Sequence, residues 1–168
     1  MKRLSLVVAT LLTCAIAVPA FAQEGDRSNA SYAKETSFQY SILHDYGHTG
    51  TFGMLFDYGR QMRSKLSLVA ELGLHNVDGY GYVQGAGGLR FGTMTGRKVR
   101  SFVQFVVGPQ HEWDATGFVW QPGAGINVRA TSKIDLKIQA DFPILQWEGD
   151  TYKQFRFSVG VGLPLGGK

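Results

Sequence analysis

The chain has 168 residues, enough for one domain, with 22 glycines, 12% aromatic residues and a single cysteine. Its 17 basic residues exceed its 13 acidic ones by four, but Lys2 and Arg3 belong to a leader, and the remaining 15 against 13 is not the basic excess that binds nucleic acid. Plentiful glycine and aromatics without helical periodicity exclude a helical bundle and favour an all-β barrel or sandwich.

The chain opens as a cleavable secretory signal peptide, residues 1–22. Lys2 and Arg3 form the positive start, Leu4 to Ala17 the apolar run, and Ala20-Phe21-Ala22 the small-residue cleavage site, with Gln23 the expected new N-terminus. The run is shorter than the ~20 apolar residues a spanning helix needs. Leu11-Leu12-Thr13-Cys14 faintly resembles a lipoprotein signal. Thr13 fits poorly there and apolar residues continue to Val18, so lipidation is rejected. With Cys14 removed, the mature chain has no thiol or disulfide chemistry. Residues 23–35 are polar and aperiodic and read as a flexible periplasmic lead to a barrel over 36–168.

Eight strand-length segments follow, most alternating with period two. Thr36 to His44 sets Phe38, Tyr40 and Ile42 against Ser37, Gln39 and Ser41. Thr51 to Gly59 sets Phe52, Met54, Phe56 and Tyr58 against Gly53, Leu55 and Asp57. Lys65 to His75 sets four leucines and Ala70 against Ser67, Val69, Glu71 and Gly73. Tyr80 to Phe91 is glycine-rich, with Val83, Leu89 and Phe91 opposite Tyr82, Gln84 and Arg90. Lys98 to Gly108 is the most apolar, with Val103 and Phe105 opposite Arg100 and Gln104. Phe118 to Arg129 sets Trp120, Ala124 and Ile126 against Gln121, Asn127 and Arg129. Ile134 to Phe142 alternates most cleanly, with Asp135, Lys137, Gln139 and Asp141 on one face. Lys153 to Leu165 sets Phe155, Phe157, Val159 and Val161 against Gln154, Arg156 and Ser158. Tilted membrane strands need ~9–11 residues, and an even strand number brings both chain ends to one side.

The polar face carries Asp57, Glu71, Arg90, Arg100, Arg129, Asp135, Lys137, Asp141 and Arg156 among small residues. A water-facing exterior would carry denser charge. Near-balanced ions among Gly, Ser and Gln suit the filled lumen of an eight-stranded antiparallel up-and-down transmembrane β-barrel, where they must pair as an interior ion-pair network. The connections segregate by charge. Even-numbered ones carry Arg60, Arg63, Lys65, Arg97, Lys98 and Lys133; odd-numbered ones carry Asp45, Asp78, Glu112, Asp114, Glu148 and Asp150, with Lys153 nearby. All four histidines, His44, His48, His75 and His111, also fall at the odd end. The odd connections read as the longer ones, which places the acidic end outside the cell. Phe118, Trp120, Phe142 and Phe155 would mark the external rim, and Phe38, Tyr58 and Phe91 the periplasmic one.

From Gly117 on, Gly123-Ala124-Gly125-Ile126-Asn127-Val128, Lys133 to Phe142 and Gln154-Phe155-Arg156-Phe157-Ser158-Val159-Gly160 resemble the outer-membrane β-barrel domain family of small OmpA/OmpX-like single-domain barrels. The resemblance implies an outer-membrane location and no particular activity. It also implies an assembly signal in the last strand, Ser158, Gly160, Leu163 and Leu165, read by the barrel-insertion machinery. The chain differs in continuing through Gly166-Gly167-Lys168 instead of ending on an aromatic residue.

No phosphate loop, zinc spacing or nucleophile elbow occurs, and no cofactor is expected. His44, His48 and His111 are candidate loop ligands for a metal, although loop histidines are more often simply solvated. Ser41 and His44 fall on opposite strand faces, so they do not make a catalytic pair, and no enzymatic activity is expected. The leading expectation is a structural or surface-interaction barrel, in contact with outer-membrane lipid and an external ligand or protein. A narrow pore for small solutes and a surface lipid-modifying enzyme are the alternatives.

Overall fold

The computed structural model describes residues 34–45, 48–63, 65–77, 80–92, 98–112 and 115–165, without the side chains of 45, 48–50, 77, 80 and 112. The signal segment with Ala20, Ala22 and Gln23, and all but the end of the 23–35 lead, lie outside the described residues.

Nine strands form one sheet: β1 (Lys34–Asp45), β2 (His48–Arg63), β3 (Leu66–Val77), β4 (Tyr80–Gly92), β5 (Val99–Glu112), β6 (Ala115–Arg129), β7 (Asp135–Asp141), β8 (Ile144–Trp147) and β9 (Asp150–Leu165). Every pairing is antiparallel. β1 returns to β9, from Lys34 opposite Leu165 to Asp45 opposite Gln154, and closes the sheet on itself. β7 and β8 are halves of one stave, since both lie between β6 and β9. The break falls at Phe142-Pro143, because proline has no N–H for the ladder. Two backbone bonds bridge it: Phe142 N donates to Pro122 O at 2.9 Å, and Gln154 N donates to Pro143 O at 2.8 Å. The result is an eight-staved barrel with no open edge.

The period-two alternation becomes inside against outside. Lys137 and Arg156 are 0% exposed, whereas Leu136 and Phe157 beside them are 48% and 41% exposed. A water-soluble barrel would show the reverse. The outward face is a continuous apolar belt that includes Phe38, Phe56, Leu72, Leu89, Phe105, Ile138 and Val159. Such a surface is stable only against hydrocarbon or a partner. In hydrocarbon the closed barrel satisfies every spanning strand's backbone internally.

Most strands run longer than the sequence suggests, and three differences matter here. β1 starts at Lys34, so Glu35 joins the barrel instead of the lead. The seventh stave continues past Phe142 to Trp147, and the turn before β9 is only Glu148-Gly149, at φ 50° and 92°. Two consecutive positive φ values match the tight turn whose twist suits a β-hairpin. Third, the odd connections are not longer. Those after β1, β3, β5 and β8 each leave two residues between strands, while those after β4 and β6 leave six and five. The extra length at the odd end is taken up in strand, because each hairpin keeps pairing beyond the apolar belt. Asn76, His111, Thr116, Gln146 and Thr151 are the outward residues of that extension.

Candidate functional site

The lumen is the most chemically dense region. Among the described residues it holds five acids, Glu35, Asp57, Glu71, Asp135 and Asp141, and five bases, Arg90, Arg100, Arg129, Lys137 and Arg156. Nine of the ten are buried outright and Arg129 is nearly so. Equal numbers let each charge be compensated, which a low-dielectric interior demands.

The pairs run as a column from the end holding Lys34 toward the end holding Asp45. Near the first end, Arg100 is ion-paired to Asp135 and lies 3.7 Å from Glu35. Arg129 approaches Asp135 at 3.9 Å. Asn127 Nδ2 donates to both Glu35 oxygens, at 3.0 and 3.2 Å. Lys137 then joins two acids, ion-paired to Asp57 and 3.9 Å from Glu35. Asp57 also accepts from Ser37 at 2.7 Å and Gln39 at 3.0 Å, with Arg90 at 3.4 Å. The Phe102 ring lies against both cations, 4.4 Å from the Arg90 guanidinium and 5.1 Å from Lys137 Nζ. Its negative face reduces the repulsion between them. Phe102 fits because Gly125 is its partner across the strands; a Cβ there would meet the ring.

Farther along, Arg156 Nη2 donates to Glu71 at 3.0 Å and to Asp141 at 2.9 Å. Three glutamines complete Glu71: Gln104 at 2.6 Å, Gln121 at 2.8 Å and Gln139 at 3.1 Å. Gln121 also accepts from Gln84 at 2.7 Å, and Gln84 from Tyr82 at 3.0 Å. The Tyr82 ring stacks on His75 at 4.9 Å, and His75 Nε2 is 2.7 Å from Ser41 Oγ. Leu43, Val119 and Leu145 are buried inside the wall toward this end. Most of these bonds join different staves, and the network ties the wall across its own lumen.

No family model matches the chain, and no characterised protein matches it by sequence. Solved structures do match in shape. Neisserial surface protein A (NspA) superposes with a TM-score of 0.65 at 11% identity, over 84% of this chain and 100% of that one. A de novo designed transmembrane β-barrel gives 0.53 at 14% identity, over 79% and 96%. The N-terminal β-barrel domain of Pseudomonas aeruginosa OprF gives 0.50 at 13% identity, over 80% and 99%. The match takes in nearly the whole of each neighbour, so the likeness extends over the closed barrel. The chain has the fold of these small transmembrane β-barrels. The designed neighbour makes a second point: this fold forms without any evolved activity, so activity must be argued from side chains.

Within the barrel, the nine charged residues singled out in the sequence all point inward. Glu35 is the tenth. The sequence placed it in the lead, yet Glu35, Ser37 and Gln39 already share one parity, and extending the alternation back one step would have found it. The histidines do not come together. His44 faces outward on β1; His111 faces outward on β5, its Nδ1 2.9 Å from Thr116 Oγ1; three strands separate them. The His48 side chain lies outside the described residues. Among the described residues no group of three His, Cys, Asp or Glu side chains is placed to hold a metal. The Ser-His proximity in the barrel is Ser41 with His75, not His44. Sequence parity could not single out that pair, because the two residues lie on strands that are not neighbours.

The last strand places Ser158 in the lumen, and Leu163 and Leu165 outward at the belt edge. Gly160 has its own packing reason. It sits against β1, where a Cβ would run into the Phe38 carbonyl and Gln39 Cα. Several aromatics lie in pairs on the outward face. Phe118 and Trp120 are 5.9 Å apart and Phe142 and Phe155 5.1 Å, toward the odd end; Phe38 and Phe56 are 4.9 Å apart toward the other.

Proposed function

We propose that the barrel acts through its surface, as a structural or interaction protein of the outer membrane, and that its lumen is plugged. The observation that carries this is the Arg156–Glu71–Asp141 cluster with its glutamines, which joins residues of β3, β5, β6, β7 and β9 across the interior. An eight-stranded interior is only wide enough for side chains. A solute path would have to break several charge-assisted bonds at once, each stronger than a neutral one. Planar-bilayer recording on refolded protein tests it. We expect silence at all voltages; stepwise conductance would replace this reading with the narrow pore.

The acidic odd end is then the external face presented to a ligand or protein. The strands extend past the belt there with polar outward residues, whereas Leu66, Phe91 and Leu165 carry apolar surface almost to the other end. A Gln146→Cys variant should react with a membrane-impermeant maleimide on intact cells. Labelling only after the cells are broken would reverse the orientation. The reading is also non-enzymatic: Ser41 and His75 are both buried behind the wall, so a lipid in the bilayer cannot reach them.

A further inference from the structure

A groove interrupts the belt. Phe105, Trp120, Pro122, Ile144 and Gln146 line a recess of about 300 Å³ on the outward face. Its origin is the break in the seventh stave. At Phe142-Pro143 the chain leaves the ladder, and the facing residue on β6 is another proline, Pro122, which presents a short ring where its neighbours present long side chains. Trp120 and Phe105 stand along one side, with rings 6.4 Å apart. The walls are apolar except at the odd end, where Gln146 closes the groove.

Register places a cation beside it. Trp120 pairs with Ile144, and Ile144 pairs with Lys153, so the three form one outward row. The next row toward the odd end is Phe118, Gln146 and Thr151, and beyond it lie Thr116 and His111. Apolar walls thus give way within two rows to an amide, hydroxyls and a lysine. Among the described residues Lys153 is the outward lysine or arginine at this end, which also carries His44, His111, Glu148 and Asp150. A lysine on a bilayer-facing surface directs its ammonium toward the headgroups while its stem lies on apolar neighbours.

We infer that this groove is a binding site for one anionic membrane lipid, with an acyl chain lying against Trp120, Pro122 and Ile144 and the headgroup phosphate at Lys153. The recess is continuous with the lipid-facing belt, so hydrocarbon is what meets it. Its volume is at the lower end of the range for small-molecule sites, which suits a single chain and not a protein segment. The charge above it selects the phosphate. Gln146 and Thr151 supply hydrogen bonds to headgroup oxygens at the same height.

The test uses a variant that keeps Trp120 as its sole tryptophan (Trp113→Phe, Trp147→Phe), refolded in phosphatidylcholine vesicles doped with brominated phosphatidylglycerol or, at equal mole fraction, brominated phosphatidylcholine. Bromine on the acyl chain quenches a tryptophan it touches. We expect about fivefold stronger apparent association of the brominated anionic lipid at low salt, the factor that one lysine near a membrane surface supplies. Lys153→Gln should abolish the preference while leaving ordinary quenching by both lipids. Equal quenching by the two lipids in the parent would overturn the inference. So would a preference that survives Lys153→Gln. A crosslinked dimer through this face, protecting Trp120 from both lipids, would assign the groove to a second copy and overturn it as well.

Discussion

Arg156 grips Asp141 with two of its nitrogens: Nε and Nη2 both donate to Oδ2, at 3.1 and 2.9 Å. The two residues are also direct partners across β7 and β9. The same Nη2 reaches Glu71 on β3, so one guanidinium joins three staves.

Arg156→Ala should therefore strand two carboxylates in the lumen. Breaking a buried pair costs about 3–5 kcal/mol, because the remaining charge is left uncompensated. The denaturant midpoint of the refolded barrel should fall accordingly. An Arg156→Met, Asp141→Asn double variant, which removes charge from both sides, should recover part of that loss. An unchanged midpoint in Arg156→Ala would mean that water already solvates this cluster.

Glu35 offers a test of where the barrel begins. It is fully buried, accepts from Asn127, and lies within 3.9 Å of Lys137 and 3.7 Å of Arg100. Glu35→Ala should cost about 3 kcal/mol, since it leaves a cationic excess inside. Lys34→Ala, one position away but outward, should stay within about 0.5 kcal/mol of the parent. Equal effects of the two changes would show that residue 35 is not held in the lumen.

The seam between β1 and β9 depends on close backbone approach. Gly160→Ala should press a methyl into the Phe38 carbonyl and destabilise by about 1–3 kcal/mol, as overpacking does. Gly85→Ala meets nothing within 4 Å and should be neutral or slightly stabilising. The two variants can be compared by the temperature at which the folded band on a cold gel gives way to the unfolded one. If Gly160→Ala keeps the parental transition but refolds poorly with the insertion machinery, the residue serves recognition and not packing.

Orientation of the belt can be checked with a single charge. Val159 sits at mid-strand on the outward face, between Tyr40 and Ile138. Val159→Arg should cost about 2–4 kcal/mol in a bilayer, against about 0–1 for Gln146→Arg near the rim. Similar small costs at both positions would place Val159 in water.

Much of this was legible in the residues. Period two assigns every strand residue to one of two faces, and even the apolar fifth segment resolves as its parity requires, with Arg100, Phe102, Gln104 and Val106 inward. Charge balance then settles which face is the lumen, because ions surrounded by glycine and glutamine can be buried only where counter-ions meet them. Parity is a local property, and the chain carries it openly. What it could not show depends on distant segments. Glu35 counts as barrel because Arg100 and Lys137, far along the chain, need its charge. His75 meets Ser41 only because closure curves the wall. The break at Pro143 does not end the seventh stave, since β6 and β9 hold Ile144 to Trp147 in line on both sides. Alternation and charge balance, both read from the sequence, thus determined inside and outside. Ring closure, which brings the last strand against the first, decided which charges pair, how far each strand runs and where the lipid-facing wall opens into a groove.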